Sequence, residues 1–588
     1  MLQNMNIEFV YQKDGVRRQV FFEKDYKNQD FQAKVEWKEK EDKEYLNVTI
    51  IPAGEIIIEK LQADKDFSFD GEDRLFLNGY QSWTDSREKG CEDRMKKIPL
   101  YTLPIIHKYR LKQYGDYIFR KYSGKKGELH GYTYSYIRRK DKEKAGGNYQ
   151  LFGSLTERQG FTVFEFFTRE NSIRISKECS GLKIDRPYEA FQLFYKSGSE
   201  KEVFDGYFEA MGIARPRVEK STGWTSWYNY YQNISQDIIL ENLEYMEKEK
   251  SHIQMVQIDD GYQTAVGDWL STDPVKFPKG MKYMADQIRK SGFRTGIWLA
   301  PFVCETNSKI YREKPDWLLR DQKGRPVPAG CNWSGFYALD FYHPEVRKYI
   351  RTVFNTILDD WGYDMVKLDF LYAVCMQPGE GRTRGQIMTE AMEFLRDCVG
   401  DKLILGCGVP LGPAFGLVDY CRIGCDISLD WDDKFYMKVL LRERISTKNA
   451  IGNAIGRRHL DERAFLNDPD VFLLREDNIR LNTHQKETLA VVNHLFGSLL
   501  FTSDNLKLYG KEQFDLFHKV MEDRESQILQ VEYPQGPGTG RVEVIYQEEG
   551  KNYLLILNLS AREAAFLNRE TGMQEIIPPY GHQIIRIS

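Results

Sequence analysis

The sequence predicts an α/β protein, a central (β/α)8 TIM barrel flanked by an N-terminal β-sandwich and a small C-terminal antiparallel β-domain. Three changes of rhythm predict it. Residues 1–207 run in short alternating segments broken by charged turns, residues 208–527 alternate apolar strand-like segments with helical periodicity, and residues 528–588 return to alternation. A chain of 588 residues exceeds what one hydrophobic core supports, so about three domains are expected.

In the first region, Tyr45–Pro52 and Gly160–Thr168 alternate apolar and polar residues, as strands do when one face meets a sandwich core. Leu77–Trp83 places Asn78 and Gly79 ahead of two aromatic residues, which reads as a tight turn presenting Trp83 outward; burial of Trp83 in the sandwich fits the pattern equally. In the second region the strand candidates are Gly223–Tyr228, Met255–Asp259, Arg294–Ala300, Tyr363–Asp369, Lys402–Gly406, Tyr420–Gly424, a seventh near Val471–Leu474 and an eighth at Ser498–Phe501. Ser235 suits the N-cap of a helix whose Ile239, Leu243 and Met246 share one face, and Pro344 opens another with Val346, Ile350, Val353 and Ile357 at helical spacing. About eight such units favour a closed barrel. A doubly wound sheet needs a phosphate-binding glycine turn, and no G-x-G-x-x-G or Walker sequence occurs. In the third region, Arg541–Tyr546 and Tyr553–Asn558 alternate behind the turn-rich Pro534–Gly540.

Apolar residues at 41%, charged residues at 29% and a net charge of −4 describe a globular protein and argue against nucleic acid or a membrane surface as partner. The N-terminal residues lack a basic segment followed by an apolar stretch, and no run of about eighteen apolar residues occurs, so a cytoplasmic protein is expected. Nine cysteines, thinly spread and without a C-x-x-C pair, point to reduced thiols.

Met365–Phe370 and Cys421–Asp426 carry the chemistry. Each runs an apolar strand into one carboxylate, Asp369 or Asp426, with a cation shortly before it, Lys367 or Arg422. The C-terminal ends of barrel strands converge on one pocket, so the two carboxylates are placed to meet. Cleaving a glycosidic bond needs this pair: one carboxylate attacks or assists at the anomeric carbon and one carboxyl protonates the leaving oxygen. Their pKa values must differ, hence their surroundings must differ. Lys367, on the same face as Asp369 by the period of two, is expected to hold it ionised as nucleophile. Asp426, in a less charged turn, is expected to serve as acid, although a close Arg422 opposes this unless substrate occupies it. The competing role for either aspartate is a helix cap or loop tie, and matched strand ends weigh against it.

Asp259 and Asp260 close the second strand. Adjacent carboxylates repel, which is tolerable where each accepts hydrogen bonds from a polyhydroxylated ligand. Metal binding competes, but there is no H-x-H or H-E-x-x-H pattern and only nine histidines, so neither metal nor cofactor is expected. Trp227 and Trp298, near the ends of strands one and three, suit either a sugar ring or barrel packing. Cys407 lies between Gly406 and Gly408, where a ligand can approach closely; a buried structural thiol is the plainer alternative.

Taken together, Asn78–Trp83, Gly223–Tyr228, Gln257–Gln263, Gly296–Phe302, Lys367–Phe370, Gly406–Pro410 and Arg422–Asp426 resemble, in order and over essentially the full chain, glycoside hydrolase family 36, the retaining α-galactosidases. The resemblance implies that Asp369 is the nucleophile and Asp426 the acid/base, that Asp259 and Asp260 bind O4 and O6, that Lys367 binds O3 and O4, and that Arg422 and Cys407 lie near O2. It also implies Trp227 and Trp298 as walls, with Trp83 reaching over from the sandwich, and an exo-acting enzyme whose partner is a small-molecule or oligosaccharide α-galactoside. The chain departs from many relatives in carrying Lys367-Leu-Asp369 in place of Lys-Trp-Asp, and Gly406–Gly412 in place of the Cys-x-x-Gly-Gly-Gly-Arg segment. In this it resembles the shorter bacterial members. The departure leaves N-acetylgalactosamine as the alternative sugar, and a non-catalytic sugar-binding protein as the alternative class.

Overall fold

The computed structural model describes residues 1–140, 147–379, 381–432, 442–522, 525–537, 540–567 and 572–587. Two antiparallel sheets face one another in the N-terminal region. The first is built on Asn6–Lys13, Val16–Phe22, Ile56–Asp66, Glu128–Tyr132, Thr162–Phe167 and Ser172–Lys177; the second on Phe31–Lys40, Lys43–Pro52, Arg74–Leu77, Tyr134–Arg139, Asn148–Ser154 and Tyr188–Gly198. Alternation does what it promised: in Lys43–Pro52, Leu46, Val48 and Ile50 point into a core shared with Phe9, Ile58 and Phe164. Ser199 and Glu202 form a capping box that starts the helix Glu200–Ala210.

The barrel follows. Its strands are β1 (Ser221–Thr225), β2 (Met255–Ile258), β3 (Arg294–Leu299), β4 (Met365–Leu368), β5 (Leu403–Gly406), β6 (Tyr420–Arg422), β7 in two pieces (Leu466–Asp468 and Val471–Phe472) and β8 (Leu499–Thr502). Every neighbouring pair is parallel. The ring closes through β7, whose first piece pairs with β6 and whose second pairs with β8. The break falls at Pro469, which has no N–H for a ladder, and at Asp470, with φ of +81°. The seventh strand therefore starts at Leu466, ahead of the expected Val471; Asn467 and Asp468 disguise it, because neither favours strands. β1 ends at Thr225, and Trp227–Tyr230 form a short helix where the sequence suggested more strand.

Ser235 caps the helix Gln236–Met246 by accepting from the Ile238 N–H at 3.4 Å, with Ile239, Leu243 and Met246 buried. Pro344 opens the helix Pro344–Asn355 with Val346, Ile350 and Val353 inward, and Ile357 is buried in the turn just past its end. Between β3 and that helix, Val303–Glu305, Pro328–Gly330 and Phe336–Ala338 form a small antiparallel sheet on the mouth side. The C-terminal sheet joins Ser526–Glu532, Arg541–Glu548, Lys551–Asn558 and His582–Ile587. No described helix is long and apolar enough to cross a membrane.

Candidate active site

The ends of β2 and β4 meet first. Lys367, buried on β4, places its Nζ 2.8 Å from Asp259 Oδ2, which also accepts from Gln257 Nε2 at 2.7 Å. Burial pushes the Lys367 amine down, but the Asp259 carboxylate outweighs it and the net shift is upward. Asp260 turns the other way and accepts from Gln263 Nε2 at 2.5 Å, Trp333 Nε1 at 2.8 Å and Gln232 Nε2 at 3.0 Å. The two neighbouring aspartates thus each turn to their own set of protein donors, which relieves their repulsion. Burial nevertheless raises the Asp260 pKa.

Asp369 sits just beyond β4. Its Oδ2 accepts from Trp298 Nε1 at 3.1 Å and its Oδ1 from the Phe370 N–H at 2.8 Å, the chain being turned by a φ of +52° at Phe370. Burial raises its pKa, opposed by Lys367, the indole N–H and the Cys407 thiol, while Asp426 adds to the rise. Lys367 therefore acts on Asp369 through its field alone; its ammonium is taken by Asp259. At Asp369 dehydration outweighs the cation, so the indole and Phe370 N–H donors share with Lys367 the task of holding the carboxylate ionised.

Trp83 crosses from the sandwich to this point. Its Nε1 donates to Cys407 Sγ at 3.3 Å and its ring packs on Phe370 and Tyr372. Asn78 and Gly79 do not form the expected hairpin turn, since neither has a positive φ. Instead the buried Arg457 ties the loop to β6, donating to Asn78 Oδ1 at 3.2 Å, Gln81 O at 3.1 Å, Ile423 O at 2.9 Å and Ser82 O. Gly408, with φ of +55°, closes against the indole; a Cβ there would meet Trp83 Cζ2 at 2.9 Å. That glycine serves the docking of Trp83, where close approach of a ligand had been expected.

Past β6, Arg422 spends each arm on a different carboxylate: Nη1 to Asp426 Oδ1 at 2.9 Å, Nε to Asp468 Oδ2 at 3.0 Å and Nη2 to Asp470 Oδ1 at 2.8 Å. Asp468 and Asp470 are fully buried, whereas the Asp426 side chain is 37% exposed. The turn holding Asp426 is therefore more charged than its sequence suggested. A cavity of about 570 Å³ opens here, lined by Trp227, Tyr231, Asn332, Asp426, Asn478 and Arg480. Trp227 is half-buried on its wall, while Trp298 is 2% exposed and offers Asp369 its N–H, with little ring face for a ligand.

The residues missed from sequence are Trp333, Asp468 and Asp470. The last two had a readable signal, carboxylates closing an apolar segment as Asp369 and Asp426 do; Trp333 rides on a loop whose path is set by folding. One cluster elsewhere, Glu249, His252 and His518, brings potential metal ligands within 4.8 Å. Here His518 Nε2 lies 2.8 Å and His252 Nδ1 3.6 Å from Glu249 Oε2, so the two imidazoles, stacked at 4.4 Å, already pair with the carboxylate.

A model of the Melibiase family matches residues 221–393, the segment from β1 to the helix before β5. A Flavonifractor plautii protein named A type blood alpha-D-galactosamine galactosaminidase is 28% identical over 178 residues, 28% of this chain and only 16% of that protein's own length. An α-galactosidase from Thermus thermophilus, solved with p-nitrophenyl α-D-galactopyranoside, is 25% identical with a TM-score of 0.69, covering 91% of this chain and 97% of that one. The family 36 α-galactosidase AgaA from Geobacillus stearothermophilus superposes with a TM-score of 0.64 over 98% of this chain and 88% of that one at 13% identity, a likeness of fold.

Proposed function

On a chain that resembles glycoside hydrolase family 36 in fold and in its barrel motifs, we propose a retaining, exo-acting α-galactosidase that removes terminal α-D-galactose by double displacement. One observation carries this reading. Asp369 and Asp426 follow β4 and β6 at the same barrel end, close enough for Asp426 to raise the Asp369 pKa, in opposite settings: one buried under two N–H donors, one on a cavity wall.

In the first step an Asp369 oxygen attacks the anomeric carbon as the Asp426 carboxyl protonates the departing oxygen; in the second, Asp426 takes a proton from water, which attacks the galactosyl-Asp369 ester. Dehydration makes Asp369 more basic than a solvated carboxylate, and that energy is recovered as positive charge develops at the anomeric carbon. Asp259, Asp260, Asp369, Asp426, Asp468 and Asp470 outnumber Lys367 and Arg422 at this mouth, a field that favours an oxocarbenium-like transition state. In this reading Asp259 and Asp260 take O4 and O6, Lys367 takes O3 and O4, and Arg422 and Cys407 flank O2, with Trp227 and Trp83 around the ring and Trp298 behind it, holding Asp369 by its N–H. Nine unpaired cysteines fit a reducing cytoplasm.

The likeness to a protein named for α-D-galactosamine motivates a second reading, hydrolysis of a galactoside with nitrogen at C2, the N-acetylgalactosaminide included, by the same aspartates. The space beside Cys407 favours galactose, because Trp83 already fills it and an acetamido group at C2 must displace the indole. Proton NMR of the reaction with p-nitrophenyl α-D-galactoside tests both. Release of α-galactose first is expected; β-galactose first overturns the nucleophile assignment. Turnover of the N-acetylgalactosaminide alone selects the second reading.

A further inference from the structure

A guanidinium at hydrogen-bond distance stabilises a carboxylate and lowers its pKa by about one to three units. Arg422, 2.9 Å from Asp426, would on its own strip an acid of the proton it has to give. We propose that Asp468 and Asp470 are positioning residues that turn Arg422 from a lone cation into the hub of a net-negative cluster, so that Asp426 keeps its proton for the leaving group. The proposal rests on the reading of Asp426 as acid/base and extends it to two residues outside the motif.

The geometry supports it at each contact. Nε and Nη2 of Arg422 are committed to Asp468 and Asp470, leaving Nη1 for Asp426. The two strand-seven carboxylates are locked in place. Asp468 Oδ1 accepts from the Asp470 N–H at 2.9 Å, and Asp470 Oδ2 accepts from the Ile427 N–H at 2.8 Å and from the Tyr228 hydroxyl. Both are buried beyond reach of solvent counterions, so their charge is felt at low dielectric. Other groups felt by Asp426 are Tyr228 and Tyr231 after β1, Asp369 after β4, Cys407 after β5, and its neighbour Cys425. Of the other cations at this end, Lys367 beside Asp369 is paired with Asp259, and Arg480 on the cavity wall with Asp430. Burial, with Asp426 and Asp468 adding to it against the pull of Arg422, raises the pKa of Asp470.

Replacing Asp468 or Asp470 by Asn keeps the shape and removes the negative charge that the carboxylate carries in its ionised form. Two effects then act in one direction: the repulsion on Asp426 falls and the unbalanced field of Arg422 grows, both lowering its pKa. The expected result for Asp470→Asn and Asp468→Asn is a basic limb of kcat/KM moved down by about one pH unit. The loss at neutral pH should be about tenfold for galactosides with poor leaving groups and near zero for dinitrophenyl galactoside, which needs no protonation. Asp470→Glu should restore the limb in part. Carbon NMR of protein labelled at aspartate carboxyls, with the Asp426 signal identified by its loss in Asp426→Asn, reads the same pKa change without turnover. An unmoved Asp426 titration in both Asn variants overturns the proposal. A wild-type protein inactive on α-galactosides, with the Asp426 signal still shifting in the variants, overturns the functional reading and leaves the electrostatic assignment standing.

Discussion

The two ends of the barrel use the same residue for opposite purposes. At the end where the strands begin, Asp364, Asp419 and Asp461 stitch neighbouring strands together. Asp364 accepts from the Thr295 N–H at 3.1 Å and from Lys402 Nζ at 2.9 Å; Asp419 accepts from the Ile404 N–H, Arg217 and Arg396 at 2.8 to 2.9 Å; Asp461 accepts from the Asn467 N–H at 2.7 Å and Ser498 Oγ at 2.8 Å. At the other end Asp369 and Asp426 share one field, and Asp468 and Asp470 share a cation with Asp426. A larger cavity, about 1780 Å³, lies at the stitched end, where ion pairs such as Arg458 with Glu200 and Arg463 with Asp205 tie up part of the charge on its wall. In the proposed reading the chemistry sits at the smaller cavity, marked by the carboxylates at the strand ends and not by volume.

The comparison breaks most sharply if Asp369 proves dispensable. Asp369→Ala should lower kcat by about 10³-fold or more while the melting temperature stays within a few degrees, measured on an aryl α-galactoside. Retained turnover would remove Asp369 from the nucleophile role. Asp426→Ala should cost about 10²- to 10⁴-fold on poor leaving groups, much less on activated ones, and recover with azide. Equal losses on both substrates would point to a binding role.

At the other end the signs reverse. Asp419→Asn should cost about 3 kcal/mol of stability, read from the apparent melting temperature, with kcat/KM changed less than twofold. A large kinetic effect there would erase the contrast between the ends. The smallest effect concerns Asp461, which burial lifts to about 6. Its folded pKa lies above the unfolded value near 4, so the folded state holds the extra proton and stability falls as pH rises from about 4 through 6, by about 1 to 2 kcal/mol. Melting curves across that window should show this slope for the wild type minus Asp461→Asn; a flat difference would mean that Asp461 titrates normally in the fold.

Much of this architecture was legible because its signals are local. Leu46, Val48 and Ile50 alternate, Ile239, Leu243 and Met246 recur at helical spacing, and Val366 and Leu368 flank Lys367 in an apolar run; each pattern depends on residues within one or two turns. β7 was not legible at its start because Asn467 and Asp468 are poor strand formers rescued by pairing with β6. Trp333 was equally hidden: its link to Asp260 spans seventy-three positions and depends on a loop sheet that packs over the mouth.

By itself the sequence determined the order of domains and strands, the aspartates at the strand ends, and the cations two and four residues before them, since these follow from periodicity and spacing along one chain. Tertiary structure decided which charge meets which. Lys367 went to Asp259 on β2, Arg422 took two carboxylates from β7 besides its own neighbour, and Trp83 was delivered from another domain by Arg457. Electrostatic energy depends on distance in space and on the water excluded between charges, and neither is written in sequence separation.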